Sequence, residues 1–412
     1  MEELIAIIFK MNNIISTSYK RWTLLMALIV AFSCVGYSPV PSYMYPIMLF
    51  ISSIFVFLQS FGGRKVRLSN SLLFVIAISF LSIVIGQPDP RFRSLQRLVY
   101  FIALVLSVSP LVRTTKLTYQ RHLLLQYLLY FIVFLSVGSF ICYFLGINRM
   151  QIGEDSLYLE DFSIGGTFGG LVKHSMLLGP MCVMSFIYLL TTQNKYLSIG
   201  WINKILILSS IGGLLVSASR GAIIGGAIAF LFVIYNKSHN KLRFIKILIV
   251  ISVLIVATFP LWRFLISGII YKNEYRSDAG SGFLVSRMFL YKHRLNEFLT
   301  NPFTGIGFSS AKSFNYLEVH QTGTVEYGNS WLCLFSTIGL LGAIPAIYLF
   351  LTRFFYNIRR IKVSQEALFI SALLLFFFIH FMIEGYVLAA GNPLCFFFWL
   401  ILANSYESNL RT

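Results

Sequence analysis

The feature that most constrains this chain is the recurrence of long apolar runs, of which there are twelve. An apolar run of about 17 to 25 residues can cross a hydrocarbon core of about 30 Å as one helix. The sequence therefore predicts an all-α polytopic membrane protein with about 12 transmembrane helices. The runs lie near residues 22–38, 42–61, 70–86, 96–112, 122–146, 173–192, 203–219, 221–235, 243–260, 329–351, 366–385 and 393–405.

Composition excludes a soluble fold and a disulfide-stabilised fold. Hydrophobic residues make up 57% of the chain and charged residues only 12%, which is about half the charged fraction of a soluble domain. So few charges could not cover so much apolar surface in water. The five cysteines are odd in number and lie within apolar runs, which indicates packing rather than a disulfide framework. We expect residues 1–412 to form a single integral membrane domain.

The net charge of +18 has a topological explanation. With a cytoplasmic N-terminus, 20 of the 33 lysines and arginines fall on the cytoplasmic side, as the positive-inside rule requires. This asymmetry predicts a multi-pass chain with both termini in the cytoplasm. It also removes the reason to infer a nucleic-acid partner, and it leaves membrane lipids as the partners of most of these basic residues.

On this topology two outer loops are long, residues 147–172 and residues 261–328. Binding and catalytic residues concentrate on loops held by a rigid scaffold, so chemistry is expected there. The cytoplasmic loops are short and contain no G-x-x-x-x-G-K-[ST] segment, which argues against a nucleotide-driven pump. The first outer loop, residues 38–42, contains no carboxylate, so no metal site is expected.

The second long loop contains an amphipathic helix by its pattern. Apolar residues recur at helical spacing over residues 283–299, and an Asn-Pro pair at 301–302 ends the helix. Arg287 and Arg294 are seven residues apart, which places them on one face about 10 Å apart. Two interpretations are open: a helix on the outer leaflet with its arginines among lipid headgroups, or an arginine clamp for a polyanion.

Two further basic features lie on the same side of the membrane. Arg220 stands between Ser219 and Gly221, where one run ends and the next begins. An arginine costs about 2.5 to 3.5 kcal/mol at the centre of a span. One retained near the outer edge is therefore expected to bind an anion or to snorkel to the surface. Lys173 and His174 begin another run on this side.

Two other polar groups are interpreted as structural or solvated. His380 and Glu384 stand four residues apart on one predicted span. They share a face of that helix, where a hydrogen-bonded pair is expected. The carboxylates at positions 154, 155, 160 and 161 lie in the first long loop at a spacing that matches no metal-ligand pattern. We interpret them as part of a solvated loop.

Two short patterns resemble bacterial O-antigen polymerases and O-antigen ligases, which are polytopic membrane enzymes. The turn at residues 219–221 is similar to the arginine turn between two core spans of that family. Arg294, followed after ten residues by Gly305, is similar to the arginine pattern in the outer loops of the polymerases.

A third pattern resembles the signature with which the ligases of this family open a span. Asn329, Gly339 and Gly342 match its asparagine and two glycines, but Gly328 stands where the ligases have a histidine. The whole resemblance runs over about residues 165–342. It implies a core of the large membrane glycosyltransferase (GT-C-like) type.

The resemblance implies a metal-independent, cofactor-free glycosyltransferase of lipopolysaccharide biosynthesis at the periplasmic face of the bacterial inner membrane. It implies transfer of a glycan from undecaprenyl diphosphate to a hydroxyl of a second lipid-linked repeat unit. Guanidinium groups can bind diphosphate oxygens bidentately, and a general base can deprotonate the acceptor hydroxyl. The candidate catalytic residues are Arg220, Arg287, Arg294, Glu326 and His320, with Glu318 and His174 as further candidates for the base. The candidate substrate-binding residues are Lys173, His174, Tyr291, Gly305 and Asn329.

Three functions are open: a polymerase, a ligase that transfers the glycan to lipid A core, and a lipid-linked oligosaccharide flippase or transporter. Gly328 favours the polymerase over the ligase. The arginines gather at one outer edge rather than near the midplane, and the two halves of the chain do not repeat, which disfavours a transporter. The implied partners are undecaprenyl-diphosphate-linked oligosaccharides and membrane lipids, with a chain-length regulator as a further partner that the sequence does not identify.

Overall fold

The computed structural model describes residues 17–60, 66–149, 168–191, 200–238, 240–270, 285–312 and 328–406. Almost all of the regular structure in these residues is α-helical, as the apolar runs predict. The helices are α1 (Thr17–Cys34), α2 (Met44–Ser60), α3 (Asn70–Gly86), α4 (Ser94–Val108), α5 (Thr115–Phe144), α6 (Ser175–Thr191), α7 (Gly200–Val216), α8 (Arg220–Lys237), α9 (Lys241–Ala257), α10 (Phe259–Trp262), α11 (Val285–Thr300), α12 (Ser330–Arg360), α13 (Gln365–His380) and α14 (Pro393–Asn404).

Three of these helices, α5, α8 and α12, are long and apolar enough to cross a membrane. The helices α3, α6, α7, α13 and α14 and residues 44–58 of α2 are apolar but shorter. Helices of this composition identify an all-α membrane protein. The count of twelve spans stays a prediction.

The centre of the bundle is formed by α6, α13 and α14, in which most residues are buried. A helix that is apolar on all sides belongs in an interior. Around this centre α6 packs against α5, α7 and α8, and α13 packs against α8 and α12. At the periphery, α9 has no buried residue, and its exposed apolar surface is typical of a helix that faces lipid.

Two short strands, β1 (Arg67–Leu68) and β2 (Val112–Arg113), add a minimal antiparallel pair to this helical fold. The strands belong to the connections from α2 to α3 and from α4 to α5. Since α2 packs against α4, the two connections lie side by side and can exchange backbone hydrogen bonds. Nothing in the apolar pattern of the runs predicts this pair.

The helix expected in the second long loop is confirmed as α11, and it ends at Thr300, directly before the Asn-Pro pair. It packs against α12 and buries the side chains of Arg294 and Glu297, which are 4% and 6% exposed. The interpretation that places Arg294 among lipid headgroups is therefore wrong.

The long helix α12 is interrupted at Gly339, whose φ of 62° and ψ of −172° are not helical. The segment that follows α11, residues 302–307, fills the break, and Ile306 N donates a hydrogen bond to Ser336 O at 2.9 Å. Glycine is required at the break because an added Cβ would collide with the carbonyl group of Phe303. The break therefore docks the outer segment onto α12.

Replacing Gly339 with Ala is expected to destabilise the protein by about 1–3 kcal/mol, through a left-handed φ and a steric collision. Gly200→Ala is the matched control, because an added Cβ at the start of α7 has no neighbour within 4 Å. Thermal unfolding of the purified protein in detergent measures both variants. Equal midpoints would show that residues 302–307 do not dock at this break.

Candidate functional site

A cavity of about 930 Å³ opens at one end of the helix bundle. Its wall consists of the turn before α4, the first residues of α4 and α14, the start of α6, and the segment that joins α13 to α14. Three arginines and one lysine against one carboxylate favour the binding of an anion. The charged and titratable side chains on the wall include Arg91, Arg93, Arg97, Lys173, His174, His380 and Glu384.

The turn before α4 presents two of the arginines. The Asp89 side chain accepts a hydrogen bond from Arg91 N at 2.8 Å and forms an ion pair with the Arg91 guanidinium at 2.7 Å. These hydrogen bonds lower the pKa of Asp89, so the carboxylate stays ionised and satisfies Arg91. Arg93 caps α4 in the left-handed conformation, with φ of 47°, and has no such carboxylate in the turn. Arg93 is therefore better placed than Arg91 to meet a ligand.

Arg97, one turn into α4, is fixed by a distant part of the chain. Its Nη1 atom donates to both the carbonyl oxygen and the Oγ of Ser309, each at 3.2 Å. Ser309 is 4% exposed and belongs to the segment that follows α11. A guanidinium held in this way is preorganised for an anion, because its orientation does not have to be selected when the ligand binds.

Arg294 holds the same segment from the other side. Its Nη1 atom donates to Glu297 Oε2 at 2.7 Å and to the carbonyl oxygen of Ser310 at 3.0 Å. Glu297 Oε1 in turn accepts a hydrogen bond from Lys312 N at 2.8 Å. Arg294 and Arg97 thus bind the carbonyl groups of two consecutive residues, and the buried pair on α11 supports the residue that orients Arg97.

The segment that carries Glu384 is held by the start of α12. Ser330 Oγ donates to the carbonyl oxygen of Glu384 at 2.7 Å, and Asn329 Nδ2 donates to that of Met382 at 2.9 Å. Tyr291 Oη on α11 also donates to Met382 O, at 2.5 Å. Asn329 in addition caps α12 through Oδ1, which accepts from a backbone N–H of its first turn. These bonds position the Glu384 backbone at the cavity wall.

His380 is hydrogen-bonded to Tyr386, whose Oη lies 2.7 Å from Nδ1. The sequence favours Glu384 as a partner of His380, and the structure shows Tyr386 at this ring nitrogen. Burial raises the pKa of Tyr386 well above its usual value, and the nearby Glu384 raises it further. The phenol therefore keeps its proton, and Glu384 is the carboxylate of this segment that reaches the cavity.

Arg220 begins α8, directly after a tight turn in which Ala218 has a φ of 50°. Arg220 is half-buried. A Cβ added at Gly221 would lie 3.1 Å from the side chain of Ile383, the residue before Glu384. The start of α8 therefore lies beside the wall of the cavity.

The cavity brings some of the predicted site residues together and leaves others in the surrounding packing. Lys173 and His174 lie on its wall. Tyr291 and Asn329 lie behind the wall, where they hold the Glu384 segment. Gly305 lies against α12, and an added Cβ there would collide with the α12 backbone. Four predicted site residues have side chains that are not among those described: Arg287, Glu318, His320 and Glu326.

The sequence analysis did not select Arg91, Arg93 and Arg97, and it interpreted Glu384 as part of a structural pair. A signal for the arginines is present, since Arg91 and Arg93 lie in a loop assigned to the outer side and Arg97 lies at the outer start of the run that follows. The positive-inside rule expects few arginines there, so such a cluster indicates a function. For Glu384 the helical spacing points to His380, and only the path of the chain after α13 turns the carboxylate to the cavity.

The chemistry of the cavity is that of its own side chains. Among the described residues, no group of three or more His, Cys, Asp and Glu side chains could hold a metal ion. Guanidinium and ammonium groups bind anions, and the carboxylate and imidazole groups can exchange protons. The arrangement can therefore bind a phosphorylated substrate and deprotonate a hydroxyl next to it.

Residues 205–347 match the family model described as O-Antigen ligase. No curated protein matches the chain. The matched residues include α8, α11 and the first half of α12, and with them Arg220, Arg294 and Asn329. The arginines around the start of α4 and the carboxylate of Glu384 lie outside the match.

Proposed function

We propose that this chain, whose residues 205–347 match the O-Antigen ligase family model, is a membrane glycosyltransferase that polymerises a surface polysaccharide. The donor is a glycan on undecaprenyl diphosphate, and the acceptor is a sugar hydroxyl of a second lipid-linked repeat unit. The observation that carries the proposal is the basic cavity of about 930 Å³ with a single carboxylate among its charged groups.

In this reaction the diphosphate occupies the basic part of the cavity. Charge builds on its oxygens as the bond to the anomeric carbon breaks. Arg93, Arg97 and Lys173 stabilise that charge, the arginines through planar pairs of N–H groups. Removing one such preorganised donor typically lowers a rate by about 10²- to 10³-fold. The bond to the lipid diphosphate stores the driving force, so the proposed reaction uses no nucleotide, and the proposal includes no metal or other cofactor.

Glu384 is the general base in this proposal. As the acceptor oxygen forms its bond to the anomeric carbon, the hydroxyl proton passes to the Glu384 carboxylate and the electron pair of the broken bond stays on the diphosphate. His174, on the same wall, is the second candidate. Glu326 and His320 stay candidates from the sequence.

The three arginines singled out by the sequence take different roles. Arg220 binds the donor at the edge of the cavity, beside the Glu384 segment. Arg287 extends the anion-binding surface along α11. Arg294 acts as a positioning residue, since its buried contacts support the Ser309 carbonyl group that orients Arg97.

The proposal places the cavity at the periplasmic face of a bacterial inner membrane. Arg93, Lys173 and Glu384 all fall in segments that the asymmetry of basic residues assigns to the outer side. With twelve spans and both termini in the cytoplasm, the loops 147–172 and 261–328 lie on the same side as the cavity. A GT-C-like core belongs to this proposal.

Gly328 supports the polymerase over the ligase. This residue stands where the ligase signature has a histidine, and its φ is +66°. An added Cβ would approach Leu290 to 2.8 Å, so a side chain is disfavoured both by the backbone and by the space. The ligase stays the second candidate, because the matched family model is described by that activity.

Purified protein in liposomes tests the function directly. Given only undecaprenyl-diphosphate repeat units, without nucleotide, metal or lipid A core, it is expected to lengthen them into a ladder. A flippase would leave them at one repeat. Added lipid A core is expected to yield no capped product, and capping without elongation would identify the ligase. Loss of elongation in Arg97→Gln, with elongation retained in Arg359→Gln on an exposed part of α12, would connect the activity to the cavity.

A further inference from the structure

A second basic cluster lies at the opposite end of α3, α4 and α14 from the cavity. The guanidinium carbon of Arg353, on α12, lies 3.4 Å from the ring centre of Tyr406, and that of Arg113, on β2, lies 4.4 Å from it. Tyr406 follows the end of α14. We call Arg67, Arg113, Arg353 and Tyr406 the Tyr406 cluster. The proposed reaction uses none of its residues.

The three arginines of the Tyr406 cluster repel one another. Arg67 and Arg113 are directly opposite in the β1–β2 pair, and like charges directly opposite destabilise such a pair. The guanidinium carbons of Arg113 and Arg353 lie within about 8 Å of each other, because both contact one ring. Arg67 is exposed, whereas Arg113 and Arg353 are half-buried. The Tyr406 ring attracts two of the guanidinium groups, but it carries no net negative charge to offset the repulsion among the three arginines.

The described part of the chain supplies no such anion. None of the ion pairs among the described residues includes an arginine of the Tyr406 cluster. The Nε atoms of Arg113 and Arg353 are buried and donate no hydrogen bond to those residues. Burial raises the pKa of Tyr406, so the phenol stays neutral and does not compensate the arginines.

Hydrogen bonds around the cluster hold its parts in place. Asn357 Nδ2, one turn after Arg353, donates to the carbonyl oxygen of Ser405 at 3.1 Å. Arg121 Nη1 donates to the carbonyl oxygen of Val112 at 2.8 Å, next to Arg113. The guanidinium groups therefore extend from a fixed framework rather than from mobile surface chains.

We propose that the Tyr406 cluster is a binding site for a phosphate group. Planar guanidinium forks match the spacing of phosphate oxygens, and two or three of them can share one phosphate. Binding offsets the repulsion between the arginines. The phosphate belongs either to a phospholipid headgroup or to a soluble phosphate ester, and the site recognises the same chemistry in both.

The test compares Arg353→Gln with Arg359→Gln, which removes an exposed arginine from the same helix. Full-length protein in neutral detergent is titrated with phosphatidylglycerol, phosphatidylcholine or glycerol 1-phosphate, and the unfolding midpoint and the bound lipid by native mass spectrometry are recorded. Saturable stabilisation of wild type and Arg359→Gln is expected, with affinity about 10- to 100-fold weaker in Arg353→Gln. Phosphatidylcholine carries a phosphodiester under a compensating cation, so it is expected to bind less tightly.

Stabilisation by phosphatidylglycerol alone identifies a lipid headgroup, and stabilisation by glycerol 1-phosphate identifies a soluble ester. Either result supports the site. An equal response of Arg353→Gln and Arg359→Gln would overturn the proposal, as would the absence of any anion effect on wild type. If Arg353→Gln does not fold, Arg113→Gln takes its place. Phosphate binding that appears only in Glu407→Gln would also overturn it, because the chain's own carboxylate would then be the anion.

Discussion

Replacing Glu384 with Gln is expected to lower the turnover of lipid-linked repeat units by about 10²- to 10⁴-fold, the usual contribution of a general base. Glutamine keeps the size of the side chain and can still accept a hydrogen bond, but it cannot take the proton of the acceptor hydroxyl. The backbone bonds from Ser330 and Asn329 do not depend on this side chain. The segment is therefore expected to stay in place, and KM is expected to change little.

The pH dependence distinguishes a base from a structural carboxylate. A base must be deprotonated, so kcat of the wild type falls as the pH is lowered, and Glu384→Gln is expected to lack this acid limb. Glu366→Gln is the matched control, since Glu366 lies at the other end of α13, where its carboxylate contacts His122 Nδ1 at 3.3 Å. If Glu384→Gln has wild-type turnover and an unchanged pH profile, Glu384 is not the general base. The candidates are then His174 and the carboxylate and imidazole groups of residues 313–327.

The apolar runs predict the helical architecture because their information is local. A run long enough to cross a membrane forms a helix whatever it packs against. The same holds for α11, whose spacing and terminal Asn-Pro pair specify both its existence and its end. The break of α12 is less visible, because Gly339 is one of two glycines in an apolar run and only the docking of residues 302–307 selects it.

The candidate site is less predictable because it joins residues that are distant in sequence. Arg97 and Ser309 are 212 positions apart, and no spacing rule connects them. Lys173 and His174 are predictable from the sequence, because they begin a span on the outer side of the membrane, which is the side where the site is expected. It identifies Arg294 through a pattern but not the role of that residue.

The role of Arg294 is indicated by its ion-pair partner, Glu297. The two residues are three positions apart on a helix, a spacing at which side chains of opposite charge meet. An arginine with an acidic partner in the same helix is as consistent with a structural ion pair as with a substrate clamp. Burial decides between a surface pair and an internal one, and burial depends on α12, which a pattern within α11 does not contain.

Replacing Arg294 with Ala is expected to destabilise the protein by about 3–5 kcal/mol, because Glu297 would be left as an unpaired buried charge. Lys292→Ala, an exposed position of the same helix, is the matched control and is expected to change stability by less than about 0.5 kcal/mol. Replacing both Arg294 and Glu297 with Met is expected to recover most of the loss, since no buried charge remains. Unfolding in detergent measures all three variants.

The activity of the same variants separates a positioning role from direct contact with the diphosphate. If Arg294 acts by supporting the segment that orients Arg97, Arg294→Ala lowers kcat in the wild type but adds little in an Arg97→Ala background, because the guanidinium that it positions is already gone. If Arg294 binds the diphosphate itself, the two losses multiply. Each single loss is expected at about 10²- to 10³-fold, so the double variant distinguishes a loss of about 10² to 10³ from one of about 10⁴ to 10⁶. Independent losses would show that Arg294 binds the diphosphate directly, as in the arginine clamp. Strong non-additivity would show that the buried Arg294–Glu297 pair on α11 supports the anion site on α4.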